Sequence, residues 1–69
     1  MTPEVMMFEY LRRQSIEEDL GFYRAARELV LANKVRNEDV WEPEEAAKTA
    51  LVLRELDKRI KNREKDLEE

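Results

Sequence analysis

The sequence predicts an all-α chain: a helical hairpin, or three helices if the first segment breaks, ending in a long amphipathic helix and assembling into a helical-bundle homo-oligomer. Three observations carry this. Glycine occurs once and proline twice in 69 residues, so little interrupts a chain rich in Glu, Lys, Arg, Leu and Ala, all strong helix formers. Ala46, Leu53, Leu56, Ile60 and Leu67 recur at three- and four-residue steps, broken by Thr49 and Arg63, which lays one apolar seam along a helix. The middle of the first segment is apolar on two faces, and such a helix needs more neighbours than one short helix supplies.

The first element opens at Thr2-Pro3-Glu4. Thr2 suits the cap, Pro3 the first helical position, and Glu4 the positive end of the helix dipole. Helix is expected over about residues 3–33, and two readings of it stay open. Ser15 with Glu18 three residues later forms a capping-box pattern that would start a second helix near residues 14–16. Alternatively the helix runs through, because Met7, Leu11, Phe22, Ala25 and Leu29 then share one face. Gly21 costs only about 1 kcal/mol inside a helix, too little to break it. Ile16, Leu20, Tyr23 and Val30 mark the second apolar face.

A loop is expected over about residues 34–42, where Asn37-Glu38-Asp39 lacks apolar side chains. Trp41-Glu42-Pro43-Glu44-Glu45 then opens the long helix, about residues 43–67, with Pro43 at its first position and carboxylates on its positive pole. Trp41 is placed for a hydrophobic staple against Ala46. Glu44 with Lys48, Glu55 with Arg59 and Asp57 with Lys61 are four-residue ion pairs. The acids among residues 64–69 face the negative pole, and that end should fray.

Residues 1–69 make one domain, and a chain this short has a marginal core unless something reinforces it. It has no cysteine and no histidine, so neither a disulfide nor the usual structural zinc site is on offer. Association remains. A homodimer is expected, with Phe22, Leu29, Leu53, Leu56 and Ile60 lining the shared core, because the C-terminal seam looks too long for one chain to cover.

The longest apolar runs are Val5 to Phe8 and Leu29 to Ala32, far below the roughly 20 residues of a membrane span. Glu4 stands where a signal peptide would be basic, so a cytoplasmic location is expected. The chemistry of catalysis finds little purchase. No histidine or cysteine is present, Ser15 has no base partner in the sequence, and no glycine-rich loop exists to cradle phosphate. Glu17-Glu18 are consecutive on a helix and diverge. The expectation is therefore no enzyme, no cofactor and no metal.

The candidate partner-binding residues are Val5, Met6 and Tyr10, rimmed by Arg12 and Arg13, with Trp41 at the other end of the hairpin. Methionine is common on adaptable docking surfaces, although burial in the core and dimer interface is the stronger expectation for this patch, because a small chain needs such surface buried. Trp41 and Tyr23 with Arg24 and Arg27 form a weaker candidate for an anion or planar ring. Lys58, Arg59, Lys61, Arg63 and Lys65 are the candidate nucleic-acid-binding residues, since a basic row is what phosphates require. Asp57, Glu64, Asp66, Glu68 and Glu69 interleave with that row, no aromatic residue lies near it, and the chain carries 17 acids against 13 bases. A helix-turn-helix, with Leu20–Lys34 and Pro43–Ile60 as its helices, is disfavoured by its long acidic joint.

The functional expectation is a non-enzymatic protein–protein interaction module, a small helical adaptor or regulator acting as a homodimer on an unidentified protein partner. The alternative is a nucleic-acid-binding regulator using the basic residues of the last helix. In size, acidity and helical build the chain resembles the small regulators and adaptors of phages, archaeal viruses and prokaryotic accessory loci, a likeness of type that assigns no site residue.

Overall fold

The computed structural model describes residues 2–68. It is an antiparallel hairpin of two helices, α1 (Pro3–Asn37) and α2 (Pro43–Glu68), joined by a single 3-10 turn at Glu38–Val40. The rod measures 57 × 15 × 13 Å.

The start of α1 follows the sequence expectation: the Thr2 hydroxyl accepts from the Val5 amide at 3.3 Å, with Pro3 in the first turn. The break near residues 14–16 does not occur, and the three-helix reading is corrected. Ser15 and Glu18 lie inside one continuous helix, because Ile16 and Leu20, just after Ser15 and just before Gly21, are the two most completely buried residues described. Their burial in one phase outweighs a local capping pattern and one glycine.

The expected loop over residues 34–42 is also too long. The α-helix continues to Asn37, where the Asn37 side-chain amide donates to the Asn33 carbonyl and to Asn33 Oδ1, and Lys34 pairs with Glu38 at 3.9 Å. Side-chain bonding of this kind extends a helical end that turn propensity alone would stop. Only Trp41 and Glu42 stand outside regular helix between the two arms.

The covered positions of α1 recur at heptad steps through Ile16, Leu20, Tyr23, Arg27 and Val30. Those of α2 run through Thr49, Leu53, Leu56, Ile60, Arg63 and Leu67. Thr49 and Arg63, which interrupt the apolar seam in sequence, therefore belong to it in space. Ala46 does not, being exposed. Arg63 is accommodated by ion pairs of 3.2 Å to Asp19 across the hairpin and to Asp66 on its own helix. The seam was expected to be too long for one chain; α1 at 35 residues outreaches α2 at 26 and runs beside the seam, leaving its residues half-buried.

The acid-rich end remains helical through Glu68, held by the Arg12 guanidinium, which donates to the Asp66 carbonyl at 3.2 Å; Glu69 lies outside the described residues. Of the expected four-residue ion pairs, Glu44–Lys48 and Glu55–Arg59 form at 3.3 and 3.2 Å. Asp57 instead takes Arg27 of α1 at 2.6 Å.

Among the described residues only Ile16 and Leu20 are buried. Each contributes about 1.5–3 kcal/mol, a small sum beside the ordering of two long helices. No helix packs over the face carrying Phe22 and Leu29 among the described residues, and both side chains are about 70% exposed (70% and 73%).

Candidate functional site

The last turns of α2 lie beside residues 12–19 of α1, as the contacts of Arg12 with Asp66 and of Asp19 with Arg63 fix. Residues 3–11 consequently project beyond the end of α2, by roughly 15 Å at 1.5 Å per residue. This projecting arm carries Val5, Met6, Met7, Phe8, Tyr10 and Leu11, all exposed. Its apolar character all round now has a geometrical reading: no helix of the chain lies alongside it. Val5 continues the stripe that faces α2 farther along, past the point where α2 stops.

Around the arm, Arg12 is half-buried and is held by Glu9 at 3.7 Å as well as by Asp66, whereas Arg13 is exposed. Trp41 is half-buried at the opposite end of the rod, so it cannot share one binding surface with Val5, Met6 and Tyr10. Tyr23 and Trp41 are also separated, by roughly 25 Å of helix. The ring site suggested for them with Arg24 and Arg27 is not assembled. Tyr23 packs edge-to-face with Phe22 and beneath the Arg59 guanidinium, each at 5.9 Å. Arg24 and Arg27 cross to Glu64 and Asp57 of α2.

The basic residues of α2 are sorted by the fold into two groups. Arg59 and Arg63 are engaged with carboxylates, as are all four acids between residues 54 and 66: Glu55 with Arg59, Asp57 with Arg27, Glu64 with Arg24 and Asp66 with Arg63. Arg54, Lys58, Lys61 and Lys65 are exposed at four-, three- and four-residue steps, and no described carboxylate lies within 4.0 Å of them. They form a cationic stripe on the side of α2 turned away from α1. Sequence reading missed Arg54. Its helical phase with Lys58 and Lys61 was the available signal, obscured by counting interleaved acids without knowing where those acids point.

Leu53, Leu56 and Ile60 are half-buried in the seam of the hairpin. The two helices pack alongside each other, not at the steep crossing of a helix-turn-helix. Among the described residues, no cluster of three or more Asp, Glu, His or Cys side chains is arranged to hold a metal ion, and no helix is long and apolar enough to cross a membrane. Compared with known protein families, curated proteins and solved structures, the chain matches none.

Proposed function

We propose that this chain is a non-enzymatic protein–protein interaction module, a small cytoplasmic adaptor or regulator that acts as a homodimer and docks a partner protein through the projecting arm of α1. The supporting observation is the arm itself: Val5, Met6 and Tyr10 are exposed on a stretch of helix with no second helix beside it. Contiguous apolar surface of this kind marks interaction sites more often than it occurs idly, and methionine adapts to the shape it meets. Glu9, Arg12 and Arg13 supply a polar rim. Trp41, at the far end, is a separate contact point for the same partner or a purely structural one.

Affinity capture from the native host lysate with wild type and a Val5→Ser/Met6→Ser/Tyr10→Ser variant tests this reading. Loss of a specific retained protein, with the variant still helical, is the expected result. An identical set of retained proteins rejects the arm as the docking site.

A second reading has its own observation in favour. The stripe of Arg54, Lys58, Lys61 and Lys65 has no ion-pair partner among the described residues and is spaced like a phosphate-contacting row, which suits a nucleic-acid-binding regulator. The net charge of −4 and the absence of stacking aromatics along that face weigh against it.

A further inference from the structure

The arm and the outer face of α1 lie on one continuous stripe. Glu4, Phe8, Leu11, Ser15, Glu18, Phe22, Leu29 and Arg36 recur at three-, four- and seven-residue steps, about 80–160° around the helix from the seam with α2. The four apolar members are all exposed, Leu11 at 52% and the others at 70% or more. The stripe has an acid at one end and a base at the other, and neither Glu4 nor Arg36 has an ion-pair partner among the described residues.

We propose that a second copy of this chain docks antiparallel on this stripe, with the two-fold axis passing near Leu20, so that Leu11 of each copy meets the partner's Leu29 and Glu4 meets the partner's Arg36. This rests on the homodimer reading above and specifies its face, direction and register.

The area argument supports a second copy. A compact monomer of 8.3 kDa exposes about 4,600 Å², whereas this chain exposes 5912 Å². A standard interface removes about 800 Å² per partner, which fits inside that excess of about 1,300 Å². The register follows from charge. A parallel pairing would stack Glu4, Glu18 and Arg36 on their own copies. Sliding the antiparallel pair so that Phe22 faces itself would set Arg36 beside Phe8 and leave Leu11 and Leu29 opposite Asn33 and Ser15. Sliding it the other way would bring Glu18 against Asp19. The alignment centred near Leu20 opposes leucine to leucine and acid to base, with Glu18 laid along Phe22.

In that alignment the arm of each copy lies beside residues 29–37 of the other. There Leu29, Val30, Asn33, Thr49 and Val52 line a groove between α1 and α2. The interface is isologous and closed, each arm covering the other copy's groove. Met6 and Tyr10, on the far side of the arm, stay free for the docking role.

The absence of cysteine makes the test clean. Sedimentation equilibrium at micromolar protein comes first, followed by mild oxidation of a Leu11→Cys/Leu29→Cys variant and of Leu11→Cys alone. The two positions are about 27 Å apart on one helix, too far for a bond within a chain. A dimer mass, with disulfide-linked dimers from the double variant and none from the single, is the expected result. A single variant that links as readily as the double overturns the antiparallel register. A dimer mass with no link in either overturns the face while sparing the homodimer, and a monomer mass sinks both. If the cysteine variants fail to associate, Glu4→Gln and Arg36→Gln decide the matter at exposed positions. Each should weaken the dimer by about twofold to fivefold, and the pair together should weaken it no more than one alone. Additive losses refute the contact.

Discussion

Arg27 of α1 and Asp57 of α2 meet at 2.6 Å across the hairpin, in a heptad position of α1 that the flanking Tyr23 and Val30 would lead one to expect apolar. Together with Arg24–Glu64 and Asp19–Arg63 it makes the link between the helices as much ionic as hydrophobic. The pair is half exposed, and exposed pairs of this kind contribute about 0.2–1 kcal/mol.

Arg27→Ala should therefore lower stability by no more than about 1 kcal/mol, with the loss shrinking in high salt. Urea unfolding at two salt concentrations measures it. A salt-independent loss of several kcal/mol would show that the contact is desolvated in the assembled protein.

Leu20→Ala should cost about 2–5 kcal/mol, because Leu20 is the most completely buried residue described, at 3% exposure. In a hairpin with so small a core that is enough to remove most of the helical signal in circular dichroism at room temperature. Retention of full helicity would mean that association, and not the intrachain seam, holds the helices.

Much of this arrangement was legible in advance, and the exceptions are physical. The cap at Thr2, the start at Pro43 and the seam through Leu53, Leu56 and Ile60 are local patterns that one helix writes into its own sequence. The continuity of α1 through Ser15 was one of two open readings, favoured by helical phase but not decided by it, since the decision depends on Ile16 and Leu20 finding α2 more than thirty residues away along the chain. The pairing of Asp57 with Arg27 in place of Lys61 has the same origin. The face of α1 that α2 would choose was also undetermined: two apolar stripes compete, and the structure packs α2 on the Ile16–Leu20–Tyr23 one. Among the candidate residues, Val5, Met6 and Tyr10 were singled out by their apolar character, whereas their projection past α2 required the register.

Gly21→Ala should stabilise the protein by about 0.5–1 kcal/mol, because a methyl group there would meet no atom within 4 Å. Thermal unfolding of the variant checks it. A destabilised variant would place another helix closer to Gly21 than the proposed dimer does.

Replacing Arg54, Lys58, Lys61 and Lys65 together by Gln should leave the fold and the proposed dimer intact while removing whatever heparin or DNA retention the protein shows. Retention across a salt series decides between the two functional readings, since each phosphate contact adds about 0.9 to the slope of log affinity against log salt on duplex DNA. Strong, salt-steep retention lost in the variant would favour the nucleic-acid reading over the docking module.

The antiparallel register also dictates an order of assembly. The groove of Asn33 and Thr49 closes a short stretch of chain about the turn, Arg27–Asp57 spans 30 residues and Arg12–Asp66 spans 54. Loop-closure entropy rises by about 0.6 kcal/mol for each doubling of that span, so the helices zip from the turn toward the open end. Unfolding runs the film backwards as far as the first buried residues: Arg12–Asp66 parts first, and amide exchange should be fast over residues 3–11 and slow from Ile16 to Leu20, the two buried positions just inside that contact. The segment that projects past α2 thus adjoins the first contact to open, and a partner seated there would hold Arg12–Asp66 closed over the buried pair.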